Sequence, residues 1–293
     1  MKVALQSPCK INLLLNILRK REDGFHEMET VMQPVALFDE LEFSETAAGI
    51  VIDGSHPELK SDAGNLIYRA AESFLDAAKI ESGVHIRHEK RLPIAAGLAG
   101  GSANAATTLR GLNELFGRPL THDQLHEIAA RHGSDINFFL QDGPALATGR
   151  GEKIEPLKPF PALSGKGLLL MKPGFGVPTP WAFRKLAEFP EAITDDPTKG
   201  RALIAALNGP DLAAAAPHFF NSLEAPVLPK YPILRLYLEF CRTQGAVVAM
   251  MSGSGSTTFA IAESPDAAAD LEARFRSKFG ESPWCRSLPL SCE

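Results

Sequence analysis

An uncharged segment rich in glycine and alanine, LPIAAGLAGGSANAA at residues 92–106, constrains this chain more than any other stretch. It follows a strand-like run, VHIRHEKRL, and precedes a helix-like run from Ala103 to Leu115. A glycine-rich turn between a strand and a helix leaves several backbone N–H groups unpaired, and the helix adds its partial positive charge there. Glycine also allows close approach of the backbone and positive φ values. The segment therefore predicts a phosphate-binding loop, and the alternative is a tight turn that only joins two elements.

The residues around the loop exclude the common kinds of nucleotide loop. A Walker A loop requires GxxxxGK[ST], and no lysine stands beside Gly100, Gly101 and Ser102. GxGxxG and the protein-kinase signatures are absent, and GGSAN has Asn104 where a nucleophile elbow has glycine. A nucleotide loop of this form belongs to another family.

Composition and length indicate an ordinary globular protein with two domains. The chain has 293 residues, of which 45% are hydrophobic and 22% charged, and this length exceeds the usual span of one domain. The tract EPLKPFPALSGKG at 155–167 is the most linker-like stretch. We therefore predict domains at 1–157 and 158–293.

The same data disfavour several kinds of partner and compartment. The apolar runs are far shorter than the roughly 18 residues of a membrane span, and MKVALQSPCK turns polar before a signal-peptide core could form. With a net charge of −5 and no basic stripe among aromatic residues, nucleic acid is disfavoured. The four cysteines have no CxxC spacing and are interpreted as buried or incidental thiols. We expect a cytoplasmic protein without nucleic acid or membrane partners.

Hydrophobic periodicity predicts a β-rich first half and a ferredoxin-like second half. Residues 65–80 have the spacing of an amphipathic helix, and Thr121 with Gln124 predicts a capping box. The elements predicted after residue 234 follow the order α-β-β-α-β, which is typical of a ferredoxin-like sandwich. In KINLLLNIL a strict alternation predicts two strand faces, the first with Ile11, Leu13, Leu15 and Ile17, the second with Lys10, Asn12, Leu14 and Asn16.

Three motifs in order resemble those of the GHMP kinases. LPIAAGLAGGSANAA is similar to their second motif, Pro-x3-Gly-Leu-x-x-x-Ser, SPCKINLLLNIL to the first and MMSGSGSTTFAI to the third. The resemblance implies a small-molecule kinase that uses ATP and Mg²⁺. It also implies an α+β architecture, with an N-terminal β/α domain that contains an unusual left-handed β-α-β unit and a C-terminal ferredoxin-like α/β sandwich.

Further segments resemble the branch of that family whose substrate carries cytosine. These are PCKINLLLNI with REDGFHEMETVMQ, then GSDINFFL and KPGFGVPTPWAF. The implied activity is ATP-dependent phosphorylation of the 2-hydroxyl of 4-diphosphocytidyl-2-C-methyl-D-erythritol in non-mevalonate isoprenoid biosynthesis. Rival activities are those of a homoserine or mevalonate kinase, an ATP-using decarboxylase and a non-catalytic nucleotide-binding protein.

The resemblance also assigns site residues in this chain. Lys10 and Asp135 are the implied catalytic pair, and Ser102 is the implied Mg²⁺ ligand. The implied ATP-binding residues are Asn65, Leu66, Pro93, Ala95, Ala96, Gly97, Leu98, Ala99, Gly100, Gly101, Ser102 and Ala103. The implied substrate-binding residues are Asn12, Phe25, His26, Asp135, Thr179, Phe183, Gly253 and Ser254.

Some positions depart from the family pattern or compete for a role. Phe25 stands where the family usually has tyrosine, and Ala99 and Ala103 replace the commoner glycine and serine. Trp181 is the alternative to Phe183 as the aromatic that stacks on cytosine. We expect a monomer or weak homodimer.

Two pairs of histidines lie close together in the sequence, and neither is predicted to bind a metal. HDQLH has the i, i+4 spacing of a metal pair, yet it begins at the predicted capping box and lacks the glutamate of HExxH, so it predicts a surface helix. His85 and His88 fall on opposite faces of a strand and cannot chelate together.

Overall fold

The computed structural model describes residues 2–290, which form two sheets and the helices packed on them. The strands are β1 (Lys2–Lys20), β2 (His26–Thr46), β3 (Ile50–Gly54), β4 (Gly83–Glu89), β5 (Ala145–Gly149), β6 (Lys153–Pro156), β7 (Lys166–Lys172), β8 (Phe220–Asn221), β9 (Val248–Met251), β10 (Thr258–Ala262) and β11 (Trp284–Leu290). The helices are α1 (Leu66–Ala78), α2 (Gly100–Leu115), α3 (His122–His132), α4 (Thr179–Lys185), α5 (Lys199–Leu207), α6 (Leu212–Ala215), α7 (Glu224–Lys230), α8 (Pro232–Thr243) and α9 (Pro265–Phe279).

The first sheet is built on two long antiparallel strands, β1 and β2. Its order is β3-β4-β2-β1-β8, and β5 pairs with both β2 and β6. β3 and β4 are parallel neighbours joined through α1, which forms a β-α-β unit. The handedness of that unit stays a prediction.

Helices α1 and α3 begin at polar caps that the sequence supplies, whereas α2 begins without a side-chain cap. The Asn65 side chain caps α1 by accepting from the Ile67 N–H, and Thr121 and Gln124 form the predicted capping box of α3. Helix α2 begins at Gly100, before the predicted Ala103, and packs closely on the sheet, since a Cβ on Gly111 would lie 2.2 Å from the Phe43 ring.

The second sheet has the ferredoxin-like order β11-β7-β10-β9 with antiparallel neighbours. Alternate residues of β7 face opposite sides, as period-2 geometry requires. Leu169 and Met171 pack with α8 and α9, whereas Leu168 and Leu170 join a core that includes Ile11 of β1. The second sheet is therefore held between its own helices and the first sheet.

The predicted domain boundary between residues 157 and 158 stays a prediction. One strand from the second half of the chain belongs to the sheet of the first half. Strand β8 pairs in parallel with Leu14 and Leu15 of β1, so a segment from the second half completes the first sheet. This return of the chain brings Asn221 and Ser222 close to the middle of β1.

The strict alternation predicted for β1 is wrong at one point. A β-bulge shifts the register between Asn12 and Leu14. Two residues of β1 there lie opposite one residue of β2. Leu15 consequently lines the same cavity as Lys10 and Asn12, although the alternation placed it on the opposite face.

The cysteine interpretation is confirmed where the structure tests it. Cys9, Cys241 and Cys285 are buried free thiols, and burial raises the pKa of Cys9 to about 12. Cys292 lies outside the described residues. Over residues 2–290, no helix has both the length and the apolarity needed to cross a membrane.

Candidate active site

A cavity of about 1450 Å³ brings the three kinase-like motifs together. Its wall includes parts of β1 and β2, the glycine-rich segment, the start of α2, α4 and the turn at Gly253 and Ser254. Every predicted site residue except Ala103 lines it. Ala103 is instead fully buried in the core, and its N–H donates to the Ala99 carbonyl within α2.

One end of the cavity is a backbone surface made by the glycine-rich segment. Ala95, Gly97 and Ala99 have positive φ values of 51°, 75° and 55°, so the chain turns sharply before α2. Ala99, at the N-cap, makes no side-chain cap hydrogen bond, and the first turn of α2 carries no acidic residue. The first N–H groups of a helix have no intrahelical partners, and here they begin at the cavity wall, which suits an anion.

The turn after β9 holds this backbone surface in place. Ser252 Oγ donates to the Gly97 carbonyl at 3.0 Å, and the Thr257 N–H donates to the Ala96 carbonyl at 3.1 Å. Gly97 fits so closely that an added Cβ would lie 2.3 Å from the Ser252 carbonyl oxygen. The second and third motifs therefore form one unit through main-chain contacts.

Asp39 anchors the strand that leads into the loop, and sequence analysis missed it. Its carboxylate is fully buried, accepts from the N–H groups of Arg91 and Leu92 and pairs with Lys90, whose side chain also lines the cavity. Burial alone would raise the pKa of Asp39, but the hydrogen bond with His88 and the Lys90 charge hold it well below its usual range. An aspartate in an alternating strand gave no signal of this role.

Lys10 lines the cavity, and its buried ammonium group has three oxygen neighbours. Its Nζ is 2.5 Å from Asn12 Oδ1, 3.1 Å from the Gly97 carbonyl and 3.9 Å from Asp135 Oδ2. Burial lowers the pKa of Lys10, and the neighbouring Asp135 charge opposes that shift. The lysine that faces inward thus has the anionic partner that the sequence predicted.

Asn12 is oriented by its own contacts so that its oxygen faces Lys10. Its Nδ2 donates to Thr30 Oγ1 at 2.8 Å, and that hydroxyl in turn donates to the Leu14 carbonyl at 2.6 Å. Asp135 follows α3 and has a side chain that is 39% exposed, against 4% for Lys10. The pair therefore joins a buried cation to a carboxylate that is open to the cavity.

The other end of the cavity consists of aromatic side chains. The His26 and Phe183 rings are 5.3 Å apart between centroids at 40°, and Phe25 is 53% exposed. Burial, with a smaller contribution from Lys20, lowers the pKa of His26. Trp181, the alternative to Phe183, lies outside the cavity wall and packs edge-on against Tyr231.

Arg150 is a further cavity residue that sequence analysis missed. Its guanidinium lies 4.8 Å from the centroid of the Phe25 ring, a cation–π contact. The contact joins the turn after β5 to the turn before β2, and these are far apart in sequence. No local pattern predicts it.

The third predicted part of the substrate region is the turn at Gly253 and Ser254. Ser254 Oγ is 2.8 Å from Thr179 Oγ1 at the start of α4, and Asn221 Nδ2 donates to the Gly253 carbonyl at 2.8 Å. An added Cβ on Gly253 would lie 3.4 Å from Lys10 Nζ. Asn221 reaches this turn only because β8 returns to the first sheet, so it too was missed.

Comparison with known proteins defines the class first. The family model for the GHMP kinase N-terminal domain matches residues 65–146, and the model for the GHMP kinase C-terminal domain matches residues 202–281. The crystal structure of a homoserine kinase from Cytophaga hutchinsonii has a TM-score of 0.78 at 18% identity, covering 98% of this chain and 93% of that chain, and thus shares the fold. The two family models therefore define the class as the GHMP kinases, and the fold agrees with it.

Two closer relatives define the family within that class. The 4-diphosphocytidyl-2-C-methyl-D-erythritol kinase of Synechococcus sp. (strain JA-3-3Ab) is 44% identical over 93% of this chain and 89% of that protein. A crystal structure of 4-(cytidine 5'-diphospho)-2C-methyl-D-erythritol kinase has a TM-score of 0.80 at 34% identity and covers 98% of this chain and 99% of that chain. The chain belongs to the 4-diphosphocytidyl-2-C-methyl-D-erythritol kinase family. Membership implies an enzyme that uses ATP and a small-molecule acceptor.

Proposed function

We propose that this enzyme transfers the γ-phosphoryl group of ATP to the 2-hydroxyl of 4-diphosphocytidyl-2-C-methyl-D-erythritol, a step of non-mevalonate isoprenoid biosynthesis. The observation that carries the proposal is the Lys10–Asp135 pair, which lines one cavity together with the glycine-rich backbone and the aromatic side chains of Phe25, His26 and Phe183. Such a cavity suits two ligands, one with phosphates and one with a base, whose reacting groups meet at the pair. The names of the relatives supply the identity of the acceptor.

The triphosphate lies over the backbone end. The N–H groups from Gly97 to Ser102 cradle the phosphates, supported by the partial positive charge of α2. Asn65 and Leu66 lie at the start of α1 on the same cavity wall, and we place adenine beside them. The remaining wall residues of the loop, Pro93, Ala95, Ala96, Leu98 and Ala99, shape this end.

Mg²⁺ fits the oxygen donors of the cavity, with Ser102 as its implied ligand. Ser102 offers a hydroxyl oxygen in the first turn of α2, and Asp135 offers a carboxylate open to the same cavity. Mg²⁺ prefers a few protein oxygens and completes its shell with water and substrate phosphates. When bound, the ion neutralises phosphate charge.

The protein groups then perform the transfer. Asp135 accepts the proton of the 2-hydroxyl as that oxygen forms a bond to the γ-phosphorus, while the bond from that phosphorus to the leaving ADP oxygen breaks. Lys10 stabilises the negative charge of the transferring group and orients Asp135. The fixed Asn12 amide keeps Lys10 in place throughout.

The aromatic end holds cytosine. Phe25 and Phe183 stack on the base, and neutral His26 forms hydrogen bonds with its polar edge. Thr179, Gly253 and Ser254 line the same cavity, and Gly253 lies close to Lys10. We place the diphosphate and erythritol parts of the substrate along these residues. We further propose a cytoplasmic enzyme that is monomeric or a weak homodimer.

A panel of acceptors tests the proposed function. ADP release and product mass would be measured with Mg-ATP and, in turn, 4-diphosphocytidyl-2-C-methyl-D-erythritol, homoserine and mevalonate, with CO₂ release from a diphosphate acid as a further arm. We expect turnover with the cytidine compound alone. Turnover with another acceptor but not with this one, or CO₂ release, contradicts the proposal.

A further inference from the structure

Two histidines of α3 bring their ring nitrogens together away from the cavity. Nε2 of His122 lies 3.3 Å from Nε2 of His126, and the ring centroids are 4.3 Å apart. Residues four apart on a helix share one face, and neither ring belongs to the cavity wall. The surface helix predicted from HDQLH is present, and its first turns carry a converged imidazole pair.

The separation of the two nitrogens matches the geometry of a transition-metal site. Two zinc–nitrogen bonds of about 2.0–2.1 Å, set at the tetrahedral angle, hold their nitrogens about 3.3–3.4 Å apart. Imidazole nitrogen suits zinc, copper and nickel, whereas Mg²⁺ prefers oxygen ligands. The pair therefore selects a different class of cation from the one proposed for the kinase reaction.

Asn137 provides a second observation at the same place. It is 6% exposed, and its Oδ1 is a buried oxygen without a hydrogen-bond partner of ordinary geometry in the described structure. Its Nδ2 donates to the Glu152 carbonyl at 3.2 Å, which fixes the amide, and its side chain interacts with His126.

The side-chain oxygen of Asn137 has a use on a metal-bound histidine. Nε2 of His126 faces His122, so Nδ1 is the nitrogen left to donate to Asn137. A metal-binding histidine usually donates its second ring nitrogen to an oxygen acceptor, which fixes the ring and its tautomer.

We propose that His122 and His126 form a binding site for a divalent transition metal such as Zn²⁺, Ni²⁺ or Cu²⁺, with Asn137 orienting His126. In residues 2–290 no cluster of three or more histidine, cysteine, aspartate or glutamate side chains is arranged to hold a metal. The site is therefore open, with two protein ligands and water in the remaining positions.

The test uses Ni²⁺ for affinity and Cu²⁺ for ligand identity, both in excess Mg²⁺ so that oxygen-rich sites are occupied. Titration calorimetry of the full chain would follow Ni²⁺, and electron paramagnetic resonance would count the nitrogens on Cu²⁺. The variants are His122→Gln, His126→Gln and, as matched control, His218→Gln, an exposed histidine elsewhere on the surface.

We expect one saturable Ni²⁺ site and a Cu²⁺ spectrum with two nitrogen ligands. His122→Gln and His126→Gln should each lower the affinity for Ni²⁺ at least tenfold, because even the loss of a residue that only orients a metal ligand lowers metal affinity about 10–100-fold. His218→Gln should bind Ni²⁺ as the unchanged protein does. Retained kinase activity and unfolding temperature without metal would show that the variants fold. Equal affinity in all four proteins, or a spectrum with fewer than two nitrogens, overturns the proposal.

Discussion

The two ends of the cavity are built from different materials. The phosphate end is main chain, held by hydrogen bonds between the loop carbonyls of Ala96 and Gly97 and the turn after β9. The aromatic end is side chain, with Phe25 more than half exposed and in contact with Arg150. The phosphate end suits the phosphates of ATP, which all kinases of the class use. The aromatic end suits the cytosine base, which distinguishes this acceptor from others.

This difference predicts that variants at the two ends fail in different ways. Changes at the phosphate end should alter ATP binding and protein stability together, because ligand and fold use the same backbone. Changes at the aromatic end should alter the acceptor KM with little effect on ATP. Changes at the Lys10–Asp135 pair, called the junction here, should lower kcat while ATP and the acceptor still bind.

The largest expected effect is at the junction, in Asp135→Asn. The amide cannot accept the hydroxyl proton, so kcat should fall about a hundredfold or more, the usual contribution of a positioned base. Steady-state kinetics with an ADP-release assay would measure it, with nucleotide affinity unchanged. Asp142→Asn, an exposed aspartate nearby, is the control. Near-normal turnover in Asp135→Asn would remove Asp135 from the mechanism.

Gly97→Ala should disrupt the phosphate end. The new Cβ would lie 2.3 Å from the Ser252 carbonyl oxygen at a φ of +75°, so the loop must move. We expect the KM for ATP to rise at least tenfold and the unfolding temperature to fall.

Gly117→Ala separates the two causes of the Gly97→Ala effect. Gly117 has a φ of +76° with nothing within 4 Å of an added Cβ. The substitution should therefore lower the free energy of unfolding only by the left-handed backbone strain of about 1–2 kcal/mol, and it should leave ATP binding intact. Equal ATP kinetics in both variants would contradict the close fit at Gly97.

Phe183→Ala should weaken the acceptor alone. Base–aromatic stacking is worth about 1–3 kcal/mol on nucleic-acid binders, so the acceptor KM should rise about five- to 150-fold while the KM for ATP is unchanged. Trp181→Ala, outside the cavity wall, is the comparison variant. A larger effect of Trp181→Ala on the acceptor KM would transfer the stacking role to that residue.

The pH dependence of the acceptor KM should report on His26. Burial lowers the pKa of this histidine from its ordinary 6.5, so it is neutral across the physiological range and gains a proton only at lower pH. We expect the acceptor KM to rise as the pH falls, with the midpoint of that rise below pH 6.5. His26→Gln should abolish the rise, and a midpoint above pH 6.5 would contradict the assignment.

The smallest expected effect is that of Arg150→Gln. A cation–π contact at an exposed site is worth about 0.5–1 kcal/mol, so loss of the Arg150–Phe25 contact should raise the acceptor KM about two- to fivefold. Arg150→Lys should recover part of that loss, since it keeps the charge. An unchanged acceptor KM in Arg150→Gln would show that the ring needs no such support.

The same contrast explains how much could be predicted from sequence. Helix caps and period-2 strands are local signals, so α1, the capping box of α3 and the ferredoxin-like sheet are predicted correctly. The position of the glycine-rich loop between a strand and a helix is confirmed as well, and its binding of phosphate stays a prediction. Strand β1 departs from the predicted alternation where a bulge between Asn12 and Leu14 carries Leu15 to the cavity side. The site assignments came from resemblance to known motifs and stay proposals.

The residues that were missed share a physical reason. Asp39, Arg150 and Asn221 act through partners that are distant along the chain. No periodicity marks such contacts, because they depend on tertiary packing. Ala103 is the opposite case. The motif resemblance implies an ATP-binding residue there, but the geometry of α2 turns its side chain into the core.

A crystal structure with a non-hydrolysable ATP analogue and 4-diphosphocytidyl-2-C-methyl-D-erythritol tests the central claim most directly. We predict the triphosphate against the N–H groups from Gly97 to Ser102, cytosine on Phe25 and Phe183, and the 2-hydroxyl within hydrogen-bond distance of Asp135. Cytosine at the glycine-rich end, or a 2-hydroxyl far from Asp135 with both ligands bound, would contradict the account.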